Sequence, residues 1–288
     1  MRACNALAGL LCLFFLPLAH GQSSILIYAD EGDSLATRTA QDVELLLAQR
    51  EVSTQRFNEL SALASALVSD VKILAIGNSA CDDVVTTGLE APILCGLINH
   101  YFQPGDIGMN NIDYLPLEVP AKTFFELAKL LVPDAETVGV LLGPNSHHRE
   151  RFYSALARSA GMKSEFSLLT LQSNPVNALD PAMRKSQVFM ALPDESAFNR
   201  AVAPWVLQLS LRYRMPLLAY SFNYANAGAM ASLFQTRENL ANNLVNRLFD
   251  EASRLEFSIR LNYAVASNLG IELQSEEDYL NALQGSGP

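Results

Sequence analysis

Charge is scarce in this 288-residue chain: only 17% of residues are Asp, Glu, Lys or Arg, and what there is leans acidic, with 20 Lys and Arg against 30 Asp and Glu for a net charge of −10. Without an excess of cations to displace condensed counterions, nucleic acid is excluded as a partner. Glycine-rich phosphate loops are missing too, since Gly105 and Gly108 have the wrong spacing and follow no strand. After residue 18 no stretch is apolar for long enough to span a bilayer, so no stable membrane insertion is expected of the remainder. Short-period repeats and low-complexity tracts are absent apart from the small-residue tail at 284–288. What remains is half apolar, which excludes a disordered chain, and its length suggests about two globular domains.

The first residues carry one positive charge at Arg2, then residues 6–18 are almost all apolar, and small residues stand at Ala19 and Gly21 before the polar Gln22-Ser23-Ser24. That is the pattern of a cleavable export signal, with cutting expected after Gly21. The alternative is an uncleaved anchor; a lipoprotein is disfavoured because neither Cys4 nor Cys12 closes the apolar run. Export would leave Cys81 and Cys95 as the remaining cysteines, and in an oxidising compartment such a pair is expected to form a disulfide worth about 3 kcal/mol, the alternative being two buried thiols. Cys81 is expected at a helix start and Cys95 at the end of the next strand.

Hydrophobic periodicity gives alternating strands and helices. Residues 24–29 read as a strand, 34–49 as a helix, 59–69 as a second helix, 72–76 as a buried strand and 91–97 as another. The pattern restarts with a helix at 123–131, a strand at 137–142, a helix at 148–160 and strands at 162–170 and 187–192. A long helix at 197–213 and a strand at 216–220 complete the series. This is an α/β chain of two Rossmann-like lobes with parallel sheets covered on both faces. The expected division is a leader at 1–21, one lobe at 22–117 and a second at 118–228, each completed by part of 229–288. The join at 113–120 and a second crossing near 229–234 make a hinge of at least two strands.

Each strand ends in small polar residues, where parallel sheets bind ligands beside helix N-termini. Gly77-Asn78-Ser79-Ala80-Cys81 has the outline of a nucleophile elbow, but it ends in Cys rather than Gly and histidines number only four. Ser79 is therefore read as a helix cap or a hydroxyl facing the cleft. His147 and His148 are adjacent and would diverge on a helix, so no metal site and no cofactor are expected. Asp194 and Glu195 directly follow a buried strand, as either a ligand contact or a cap for the helix beginning near Ser196. Tyr220, Phe222 and Tyr224 alternate with small polar residues and suit either stacking on a ligand or packing of the hinge.

Three longer segments carry a resemblance: Val132-Pro133-Asp134-Ala135-Glu136-Thr137-Val138-Gly139-Val140-Leu141, then Met215-Pro216-Leu217-Leu218 with Ala227-Gly228-Ala229-Met230-Ala231-Ser232, then Arg260-Leu261-Asn262 through Ala266 and Leu269-Gly270-Ile271. Together they resemble the ABC transporter substrate-binding proteins of the tryptophan/tyrosine-uptake type, over residues 70–280. The resemblance implies a type 1 periplasmic binding protein fold that closes on a small solute and delivers it to an ABC permease. It also implies ligand contacts from Asn78, Ser79, Asn145, Ser146, Asp194 and Tyr220; from the aromatic cluster itself, Phe222 would join Tyr220 in offering an apolar face to the ligand. The leading expectation is a non-catalytic periplasmic protein that binds a small molecule, such as an amino acid. In that case Ser79 and Ser146 would hold a carboxylate and Asp194 an ammonium group. The alternative is an accessory or sensory protein that uses the same fold to regulate a membrane receptor or kinase.

Overall fold

The structure, a computed structural model, describes residues 24–99, 111–170, 172–194, 196–251 and 254–285. The expected leader at 1–21 lies outside the described residues, as do Gly105, Gly108 and Glu195.

The first half winds as β1 (Ser24–Ala29), α1 (Ser34–Gln49), β2 (Thr54–Phe57), α2 (Leu60–Ser65), β3 (Val71–Ile76), α3 (Asn78–Thr86), β4 (Ile93–Ile98) and β5 (Ile112–Pro116). Its five strands are parallel in the order β2-β1-β3-β4-β5. The second half begins with α4 (Ala121–Leu131), β6 (Thr137–Leu142), a 3-10 turn (His147–Arg149), α5 (Glu150–Ser159) and β7 (Lys163–Leu168). It continues with α6 (Pro175–Lys185), β8 (Val188–Ala191), α7 (Ala203–Arg212), β9 (Leu217–Ala219), α8 (Phe222–Ala227) and β10 (Ala231–Phe234). Then come α9 (Arg237–Leu248), β11 (Ser258–Leu261), α10 (Tyr263–Leu269) and α11 (Glu276–Gly285). The second sheet runs β11-β10-β9-β8-β6-β7, parallel except for β11, which pairs antiparallel with β10. Without β11 its order, β7-β6-β8-β9-β10, repeats that of the first sheet.

Both sheets are covered on both faces, and the alternation of strand side chains assigns each residue to one side. In the first sheet Ile25, Ile27, Leu74 and Ile76 pack against α1 and α9, whereas Leu26, Ile73, Ala75 and Cys95 face α2 and α3. In the second, Val138, Val140, Met190 and Leu218 meet α4, α5 and α11, while Leu141, Phe189, Ala191 and Leu217 meet α6, α7 and α8. Helix α9 therefore belongs to the core of the first half although the second sheet brackets it in sequence. It lies close on β4, since a Cβ at Gly96 would sit 2.3 Å from a methyl of Leu244.

The chain passes between the halves three times, at 117–120, at 235–236 and at 249–257. One polar clasp joins all three. The Gln235 amide donates to the carbonyls of Pro116 (3.1 Å) and Leu117 (2.9 Å) and accepts from Asn243 Nδ2 (2.7 Å). Buried Asn243 also donates to the Glu256 carbonyl (2.8 Å) and accepts from the Glu256 amide (2.8 Å). The second crossing thus lies after β10, which is wholly inside the second sheet, rather than near 229–234.

The disulfide expected from the sequence forms between Cys81 and Cys95, whose Cα atoms are 5.4 Å apart. Cys81 is in the first turns of α3, but Cys95 is in the middle of β4 rather than at its end. Its side chain points to the face that α3 covers, so the bond fastens that helix to the sheet.

The long helix expected over 197–213 is shorter, and the reason is local. Asp194 accepts from the Ser196 amide (2.9 Å), and Asn199 Oδ1 accepts from the amides of Ala201 (2.9 Å) and Val202 (3.2 Å). These side chains capture backbone donors that a helix would use, and α7 begins only at Ala203, with Pro204 in its first turn.

Candidate functional site

Where the strands of the second sheet end, the loops after β8 and β9 meet the first two crossings around a cavity of about 350 Å³. Pro193 and Asp194 follow β8, and Tyr220, Ser221, Phe222 and Asn223 follow β9 and open α8. The first crossing contributes Leu117, Glu118 and Val119, the end of β10 contributes Phe234, and the second crossing contributes Gln235. From the first half comes Asn99, just beyond β4. A cavity at the carboxyl ends of parallel strands, between two sheets and against the hinge, is where an α/β protein of this kind holds a small ligand. Larger grooves of about 650, 740 and 490 Å³ lie elsewhere: between α7 and α10, at the amino ends of β3 and β4, and at the amino ends of β4 and β5 against the end of α9. At none of them do carboxyl-end loops from both halves converge.

Asn99 is presented by an irregular strand end. Leu97 has φ +58°, and the register of β4 against β5 slips between Gly96 and Ile98. Such a bulge turns the strand and re-aims the residues beyond it. Asn78, at the start of α3, accepts a hydrogen bond from the Asn99 amide (3.1 Å) on its Oδ1 and fixes that turn. Asn78 thus acts behind the cavity wall, and Ser79 is not part of the wall.

Asp194 is only 2% exposed, and its carboxylate accepts four hydrogen bonds. One oxygen takes the Gly143 amide (3.1 Å) and the Ser146 hydroxyl, and the other takes the amide and the hydroxyl of Ser196. Gly143 N–H also donates to Ser146 Oγ (3.1 Å), and the Asn145 amide donates to Ser196 Oγ (3.3 Å). Four acceptor positions are what a carboxylate has. Asp194 therefore ties the loop after β6 to the loop after β8; it caps no helix, since none begins at Ser196 and α7 starts only at Ala203. The knot needs glycine at 143, because a Cβ there would lie 2.4 Å from Ser196 Oγ and 2.9 Å from Asp194 Oδ2. Ser146 is buried in the knot, and Asn145 is exposed outside the cavity.

The aromatic residues divide between the two uses considered from the sequence. Tyr224 is buried in the core with Phe198 and Tyr220, at ring separations of 6.4 and 5.8 Å. Its hydroxyl has no partner among the described residues, and burial pushes its pKa far up. Tyr220 borders both that core and the cavity and donates from its hydroxyl to the Phe198 carbonyl (3.2 Å). Phe222 is 45% exposed and meets Phe234 edge to face at 5.7 Å, so both rings stand in the cavity wall. Phe222 is the first residue of α8. Of the seven residues singled out, the structure brings Asp194, Tyr220 and Phe222 to the cavity and leaves Asn78, Ser79, Asn145 and Ser146 off its wall. Glu118, Phe234, Gln235 and Asn99 escaped notice because nothing about them is unusual until the hinge is folded.

No family model matches the chain, and no curated protein matches it. Solved structures do. A ligand-free, open substrate-binding protein with adhesive properties from Clostridium difficile is similar at 18% identity, with 88% of this chain and 97% of that chain covered and a TM-score of 0.64. A domain solved with L-Trp from Streptococcus pneumonia is similar at 16% identity over 90% of this chain and 96% of that one, with a TM-score of 0.52. An arabinose binding protein from Geobacillus stearothermophilus reaches 0.50 at 13% identity, over 85% and 98%. The chain has the type 1 periplasmic binding protein fold, as the sequence resemblance implied.

Proposed function

We propose that the chain is a solute-binding protein, exported to the periplasm, that captures one small organic molecule between two lobes and presents the closed form to an ABC importer. One lobe would be residues 24–116 with α9, the other residues 121–234 with 258–285. The observation that carries the reading is the cavity at the strand ends, to which both halves and two of the three crossings contribute side chains. Its volume of about 350 Å³ suits a solute the size of an amino acid or a monosaccharide. A ligand that touches Asn99 on one side and Tyr220 on the other gains contacts as the halves approach, and so favours the closed conformer. The solved neighbours, a substrate-binding protein, a domain in complex with L-Trp and an arabinose binding protein, support the reading. No helix among the described residues is long and apolar enough to cross a membrane, which is consistent with delivery to a separate permease.

The test is native mass spectrometry of the protein released from the periplasm of the producing cell. One bound solute per chain is expected, lost on partial unfolding, together with an amino terminus at Gln22. Protein that carries nothing and binds nothing from a periplasmic small-molecule extract refutes the proposal.

A further inference from the structure

A cation stands at the border of the cavity. Counted outward from the hinge, the strands of the second sheet run β10, β9, β8, β6 and β7, so the loop after β6 is the next beyond the two strand-end loops that line the cavity. Arg149 ends the 3-10 turn in that loop and directly precedes α5. One helical turn further on, the Tyr153 hydroxyl feels three charges: burial raises its pKa, Arg149 opposes the rise, and Asp194 and Glu118 add to it. Asp194 and Glu118 belong to the cavity wall, which puts the Arg149 guanidinium at that edge of the cavity.

The turn that carries Arg149 is tied to the wall. The Ser146 hydroxyl donates to Asp194, the Arg149 amide donates to the Ser146 carbonyl (2.9 Å), and His147 Nδ1 meets the Pro144 carbonyl at 2.8 Å. The arginine side chain is held as well, with Cζ 5.0 Å from the centre of the Phe152 ring and 5.5 Å from that of Tyr153. Stacking of this kind attracts the cation to the rings and removes rotamer freedom before any ligand arrives. Among the described residues no carboxylate forms an ion pair with Arg149. A planar, permanently charged guanidinium matches the two oxygens of a carboxylate.

Resting on the solute-binding reading above, we infer that Arg149 is a specificity-determining residue of the site and that the solute carries a carboxylate, which the guanidinium holds while the body of the solute fills the cavity. The Ser146 hydroxyl that the sequence offered for this task is engaged by Asp194, and the arginine three positions later takes its place.

The experiment uses pairs of molecules in which one member carries a carboxylate and the other does not. Calorimetry at low ionic strength on the full mature chain compares L-tryptophan with L-tryptophanamide, and D-galacturonate with D-galactose. In whichever pair binds, the acid should bind at least about tenfold more tightly than its neutral counterpart. Arg149→Gln should abolish that preference by weakening the acid about tenfold, while the affinity for the counterpart and the urea midpoint stay unchanged, which a merely structural role would not allow. A preference below about tenfold, or one that survives Arg149→Gln, overturns the assignment while solute binding stands. If neither pair binds, the solute carried from the periplasm decides. A carboxylate-bearing solute that Arg149→Gln binds about tenfold more weakly supports the assignment; a solute without a carboxylate, or one bound equally by the variant, overturns it. Should no solute be carried or bound, both readings fail together.

Discussion

Replacing Asp194 with asparagine separates a residue that holds the ligand from one that holds the protein. The carboxylate is 2% exposed and accepts four hydrogen bonds, two on each oxygen. An asparagine keeps one acceptor oxygen and turns the other position into a donor, so two of the four donors face an N–H group instead of an acceptor. Hydrogen bonds to a charged group contribute about 1.5–3 kcal/mol each, and donors left buried add their own desolvation cost. The expected loss is about 3–5 kcal/mol of unfolding free energy, a large share of the roughly 5–15 kcal/mol typical of a folded protein. Urea unfolding followed by circular dichroism reads it directly. In case the variant does not fold, Ser196→Ala provides a milder arm: it removes one donor and should cost about 1 kcal/mol. A loss under about 1 kcal/mol for Asp194→Asn, or a larger effect on ligand affinity than on stability, would refute the knot and restore Asp194 as a ligand contact.

Reducing the Cys81–Cys95 bond, which spans 14 positions, should lower stability by about 3 kcal/mol, read as a drop in the urea midpoint on adding reductant; an unchanged midpoint counts against it. Tyr224→Phe removes a buried hydroxyl that has no partner among the described residues, so a gain of about 1 kcal/mol is expected in the same assay, and a loss would refute the unpaired hydroxyl. The hydrogen bonds from Arg247 hold the Asp113 carboxyl below its ordinary 3.8. Because the folded-state value is depressed, the pair adds stability above pH 3.8 and loses it as pH falls through the lower folded value. At this exposed position the effect is below about 1 kcal/mol, and Asp113→Asn should differ from the unmodified protein at about pH 6 but not near pH 2.

The elements legible in the sequence are those whose side chains are all buried or evenly periodic. The strands Ser24–Ala29 and Thr137–Leu142 and the helix Ser34–Gln49 are found where the apolar pattern put them. The elements that escaped have mixed surroundings. β2 reads TQRF with only Phe57 buried, as suits an edge strand, and β5 is another edge that ends in proline. Proline at 175 and 181 disguised α6, although Asn174 caps it through its Oδ1. The antiparallel β11 leaves no mark, because direction of pairing is a tertiary property. At the site, strand-end position identified Asp194, Tyr220 and Phe222, but it could not foresee that Asp194 would be surrounded by donors from three other residues. Nor could it foresee Glu118 and Gln235, whose roles depend on where the crossings meet.

The placement of α9 has a consequence for how the protein is made. Leu240, Leu244, Val245 and Leu248 pack beside α1 on one face of the first sheet and cover its β4 side, so a nascent polypeptide that stops short of residue 248 leaves that part of the face open to water. The first half therefore cannot complete itself while it is being synthesised; it waits for a segment about 120 positions beyond β5. Contacts this distant in sequence slow folding, because the loop between them must close before they contribute. During that delay the first half stays incomplete, with part of one sheet face uncovered. A circular permutant that opens in the third crossing and joins the old ends would put α9 near a terminus, leaving its packing intact while changing the order in which the halves become complete.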